Sequence, residues 1–98
     1  MKKFKDIIQS DKPVLVDFYA TWYEPCKTMH LTMDKLRNTI KDKACIEEID
    51  INVYDGIALF YRILMVPTLI IFKKGEVLWR HSGSISEQEL QTAIEQFL

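Results

Sequence analysis

The order of hydrophobic patterns along these 98 residues predicts an α/β fold, a central four-stranded mixed sheet flanked by helices. Three observations lead there. Val14–Ala20 and Cys45–Ile51 are short runs dense in apolar and β-branched residues, as strands covered on both faces are. A long helical stripe separates them, so they join through a right-handed crossover and run parallel. Thr68–Phe72 and Glu76–His81 flank Lys73-Lys74-Gly75, a tight reversal that adds an antiparallel hairpin at the edge.

Each element has its own signal. Phe4, Ile7 and Ile8 fall at i, i+3 and i+4 and predict a short amphipathic helix over Lys2–Gln9. Ser10-Asp11-Lys12-Pro13 is turn chemistry. Cys26, Met29, Met33, Leu36 and Ile40 recur at helical spacing and predict a helix from about Pro25 to Ile40. Pro25 suits its first turn, where a missing N–H costs nothing. A short helical patch covers Ile57–Tyr61. Ser86-Glu87-Gln88-Glu89 is a capping box, and Leu90, Ala93, Ile94 and Phe97 form one stripe after it. There is no internal repeat and no linker, so residues 1–98 are expected to form a single domain.

Composition narrows the function. Apolar residues make up 48% of the chain and charged residues 28%, which excludes a disordered tail or a low-complexity linker. Thirteen basic residues against fourteen acidic ones leave no surplus to hold a phosphate backbone, so no nucleic-acid partner is expected. No apolar run approaches the roughly 20 residues that span a bilayer, so no membrane partner is expected either. Lys5, Asp6, Gln9 and Asp11 interrupt any apolar core of a signal peptide, and the chain reads as cytoplasmic.

Four blocks then carry a resemblance. Val14-Leu15-Val16-Asp17-Phe18-Tyr19-Ala20-Thr21-Trp22, Pro25-Cys26-Lys27, Val66-Pro67-Thr68 and Phe72-Lys73-Lys74-Gly75-Glu76-Val77 together resemble the thioredoxin family over roughly residues 2–98. The resemblance implies the thioredoxin fold, with the first strand of larger members absent, and a role in thiol–disulfide redox chemistry. It also marks a departure. The family carries Trp-Cys-Gly-Pro-Cys where this chain reads Trp22-Tyr23-Glu24-Pro25-Cys26, so Tyr23 stands at the attacking cysteine and Cys26 at the resolving one. Dithiol exchange needs both sulfurs, one to attack and one to release the mixed disulfide. A phenol with a pKa near 10 cannot substitute for the first.

Cys26 has two readings: a buried relic on the Met29 and Met33 face, or a monothiol whose pKa is lowered by the helix N-terminus and Lys27. Asp17, a carboxylate inside an apolar strand, should have a raised pKa; by resemblance it shuttles a proton to the resolving cysteine. The family's partner lysine falls at Glu48 here. His30, on the Cys26 face, either supplies the missing proton or cation or sits at a wet rim. Cys26, His30, Asp17 and Glu48 are permissible zinc ligands, but one Cys-x3-His pairing is too weak a pattern, and neither metal nor cofactor is expected. Trp22, Tyr23, Val66 and Pro67 form the candidate binding set. The resemblance implies a cis Val66–Pro67 bond and an unpaired Val66 backbone that docks an extended peptide.

The two cysteines cannot pair within the chain. Cys26 lies at the C-terminal end of the first strand and Cys45 starts the parallel one at the opposite end, roughly 20 Å away, whereas a disulfide spans at most about 7 Å between Cα atoms. Two free thiols are expected, with Cys45 a small apolar residue in the sheet. The leading reading is a partner-binding protein that has lost dithiol activity. The competing one is a monothiol or glutathione-linked enzyme using Cys26.

Overall fold

The computed structural model describes residues 3–98. The elements are α1 (Phe4–Ile7), β1 (Val14–Tyr19), α2 (Glu24–Ile40), a 3₁₀ turn (Lys41–Lys43), β2 (Cys45–Asp50), α3 (Asp55–Phe60), β3 (Thr68–Lys73), β4 (Glu76–Ser82) and α4 (Glu87–Glu95). The sheet order is β2-β1-β3-β4, parallel between β1 and β2 and antiparallel elsewhere. This is the mixed four-stranded sheet that the patterning predicts. Both cysteines are free; Cys45 begins β2 and packs as a half-buried side chain.

Alternation along β1 divides the core. Leu15 faces Met29, Met33, Leu36 and Leu90 of α2 and α4, while Val14, Val16 and Phe18 face Ile8, Ile70 and Phe72 on the other side. β1 and β3 are buried on both faces, which explains their continuous apolar runs. Lys74 and Gly75 have φ of 53° and 82°, so the β3–β4 connection is a two-residue turn of the left-handed kind that matches strand twist.

Two helices differ from expectation. α1 stops at Ile7 rather than Gln9, because the hairpin captures the backbone beyond it: Gly75 N–H donates to the Ile8 carbonyl at 2.8 Å and Lys74 N–H to that of Ser10 at 2.9 Å. Lys2, the first residue of the expected helix, lies outside the described residues. α3 begins two residues earlier than its apolar patch and ends at Phe60, because Arg62 turns to a positive φ of 52° and Ile63 N–H closes on the Ala58 carbonyl at 2.9 Å.

α4 starts as the capping box requires, with Glu89 N–H donating to Ser86 Oγ at 3.1 Å. Replacing that hydroxyl leaves the helix N-terminus one acceptor short. Ser86→Ala should therefore lower unfolding free energy by about 1 kcal/mol, read as a lower urea midpoint at unchanged slope.

Candidate functional site

β1 delivers Asp17 to the α2 face of the sheet. Its side chain is 1% exposed, and neither carboxyl oxygen has a hydrogen-bond partner among the described residues, Cys26 included. Glu48 lies directly across from it in the parallel register, at the position where the resemblance places a lysine. Desolvation, and then the negative charge of Glu48, push the Asp17 carboxyl up to about 7.

α2 supplies the compensating charges. His30 Nδ1 lies 2.6 Å from Glu48 Oε1, and Arg37 donates through Nη2 to Glu48 Oε2 at 3.0 Å. Arg37 also donates to Asp34 Oδ1 at 2.9 Å. His30 is thus both solvent-exposed and tied to Glu48, and its pKa is raised by that hydrogen bond. Asp34 and Arg37 had a sequence signal: with His30 they fall at i, i+4 and i+7, one face of a helix.

Cys26, 4% exposed, sits in the first turn of α2. Burial pushes its thiol up, partly offset by a backbone hydrogen bond from Ala20 and reinforced by Asp17. Of the two readings of Cys26 this favours the buried one over the activated one: desolvation is the largest influence on the thiol, and Lys27 is engaged with Glu24 at 3.1 Å. Cys26, Lys27, His30 and Glu48 line a cleft of about 330 Å³ together with the end of β1.

Tyr23 occupies the N-cap position of α2 and offers no side-chain cap. It is 40% exposed, Trp22 is 69% exposed, and their rings lie 5.7 Å apart. The Val66–Pro67 peptide is cis. Pairing of Phe18 with Thr68 brings this segment to the same end of the sheet as Trp22 and Tyr23. Val66 is half-buried, and its backbone makes no hydrogen bond among the described residues. Leu64 and Met65 beside it are exposed. Arg80 of β4 donates to the carbonyls of both Tyr61 and Arg62, holding the chain where Arg62 takes a positive φ of 52°. No sequence pattern marks that clamp.

A four-stranded mixed sheet with helices on both sides, a helix starting beside β1 and a cis-proline opening β3 define the thioredoxin fold. The chain belongs to the thioredoxin family: the family model Thioredoxin matches residues 1–96. It is 43% identical over 96 residues to Thioredoxin Y1, chloroplastic, of Arabidopsis thaliana, covering 97% of this chain and 56% of that protein. Thioredoxin C-2 of Corynebacterium nephridii is 34% identical over 91 residues, covering 93% and 84%. The crystal structure of Malassezia sympodialis thioredoxin (Mala s 13) superposes with a TM-score of 0.87 at 34% identity, covering 96% of this chain and 82% of that one. The chain spans a little over half the length of the plant relatives it matches. No described helix is long and apolar enough to cross a membrane.

A carboxyl whose pKa is higher folded than unfolded binds its proton more tightly in the native state. The stability this gives is complete at low pH and is lost as pH rises from about 4 to about 7. The full rise from 3.8 to about 7 corresponds to roughly 4 kcal/mol. Asp17→Asn should flatten that decline and exceed the parent protein in stability at pH 8, as measured by urea unfolding at a series of pH values.

Proposed function

We propose that this thioredoxin-family chain has lost the attacking cysteine of dithiol exchange and works as a partner-binding module. The carrying observation is Tyr23 at the helix start, where exchange requires a thiolate, with exposed aromatic and apolar surface retained around it. Trp22, Tyr23, Val66 and Pro67 receive an extended peptide segment of a protein partner, the free Val66 backbone supplying main-chain hydrogen bonds. Two free thiols suit a reducing compartment, and the cytoplasm is the setting we assign.

A second reading rests on the cleft beside Cys26. There, a monothiol exchanges with glutathione or a partner's disulfide, Asp17 accepting or returning the thiol proton and His30 steadying the charge. The raised thiol pKa weighs against this reading, because the thiolate is the nucleophile.

Insulin reduction in the presence of dithiothreitol separates the two. The binding module gives no turnover above the dithiothreitol background, and Tyr23→Cys raises turnover at least tenfold by restoring the attacking sulfur. Turnover by the parent protein that disappears in Cys26→Ser would establish the monothiol instead. Trp22→Ala should weaken binding of an alkylated, unfolded polypeptide by at least about 1 kcal/mol, read by fluorescence anisotropy of the labelled polypeptide.

A further inference from the structure

We propose that the outer edge of β2 is a docking site for an extended, basic segment of a protein partner, which joins the sheet as an added strand. β2 ends the sheet, and β1 is its only neighbour there. Two bonds fix the direction of its backbone: Cys45 N–H donates to the Pro13 carbonyl at 2.9 Å, and Ile51 N–H to that of Tyr19 at 3.0 Å. Backbone groups alternate sides along a strand, so Cys45, Glu47 and Ile49 bond toward β1 while Ile46 and Glu48 turn theirs outward. The N–H and C=O groups of Ile46 and Glu48 have no partner among the described residues. At Asp50 the open edge stops, since its carbonyl accepts from Val53 and Tyr54 N–H at 3.1 and 2.9 Å.

A cleft lies beside this edge. Phe4 and Ile7 of α1, Ile49 of β2, and Tyr54 and Ile57 at α3 border a space of about 470 Å³, with Glu47 and Lys3 also on its rim. Glu47 and Ile49 are two residues apart and share a face of β2. An added strand runs about 4.8 Å from β2 and presents every second side chain to that face. One apolar side chain there enters the cleft beside Ile49, and the side chain two positions away meets Glu47.

Charge selects the occupant. Glu47, Glu48 and Asp50 crowd carboxylates onto the strand. Glu48 is met by His30 and Arg37, whereas Glu47 and Asp50 form no ion pair among the described residues. A second copy of the chain fits poorly. The antiparallel register that satisfies all the outward groups sets Ile46 of one copy against Glu48 of the other, and therefore Glu47 against Glu47. Like charges directly opposite are destabilising, and a lysine or arginine at that place makes the same register favourable. The partner segment thus carries a basic and an apolar residue two positions apart, with no proline where it bonds to Ile46 and Glu48. The edge shares no residue with the groove at Trp22 and Val66, so it stands apart from the function proposed above.

The labelled peptide Thr-Val-Leu-Thr-Lys-Val-Thr-Ser, titrated with the 98-residue protein and followed by fluorescence anisotropy, tests the site together with amide hydrogen exchange read by NMR. Saturable binding is expected, with exchange at the Ile46 and Glu48 amides slowed at least about tenfold. Glutamate in place of the peptide's lysine should weaken binding at least about threefold, and Glu47→Lys should reverse that preference. Proline in place of its second threonine should abolish binding. Thermal unfolding verifies that the variant is folded. No saturation up to about 1 mM, slowed exchange at Val66 in place of Ile46 and Glu48, binding by the proline peptide, or a preference for lysine that survives Glu47→Lys would each overturn the site. So would protection of Ile46 and Glu48 that grows with protein concentration in the absence of peptide, which would assign the edge to a second copy.

Discussion

Asp17 sits in a strand covered on both faces, and an ionised carboxyl there carries a penalty of several kcal/mol unless a proton or a cation offsets it. The strand beside it makes matters worse, because β2 presents Glu48 directly opposite. Relief has to come from the helix above. Arg37 and His30 reach down from α2 to Glu48, so the interaction that tempers a buried negative charge also docks the helix on the open edge of the sheet. The electrostatics and the packing of this half of the molecule are therefore one arrangement.

The same low-dielectric setting governs Cys26. A helix N-terminus favours a thiolate, but the favour is worth about 1 kcal/mol and fades within a turn. Removal of water from the sulfur and the proximity of Asp17 act in the opposite sense. Its surroundings disfavour the thiolate, and the exposed side chains at this end of the sheet are Trp22 and Tyr23.

The fold was legible in the sequence where burial imposes a period. The doubly covered strands and the stripe on α2 leave no other compact assignment, and Ser86 with Glu89 marks the last helix start. The early end of α1 was hidden because hydrogen bonds from a hairpin more than sixty residues away decide it. Within the site, Asp17 is marked as a lone charge in an apolar run, and the resemblance puts Glu48 at the partner-lysine position. Asp34 and Arg37 are not singled out by sequence, since charges on a helix face usually only meet water and strand register alone puts Glu48 beneath them. The direction of the Cys26 shift depended on how deeply the sulfur is covered, which periodicity ranks but does not measure.

The Arg80 clamp has a dynamic consequence. Residues 51–67 link β2 to β3 without belonging to any strand, and the six-residue α3 within them is too short to persist alone. The linking segment is anchored by the Arg80 guanidinium on two carbonyls, by the Tyr61 ring among Phe4, Phe18 and Phe72, by Ile51, Ile57 and Ile63 packed on the core, and by backbone bonds at its two ends. None of these contacts belongs to the hydrogen-bonded ladder of the sheet, so local opening of the segment should cost less than opening β1 and β3. Exposed Leu64 and Met65, with half-buried Val66, thus lie on chain whose local rearrangement leaves the strand pairing intact.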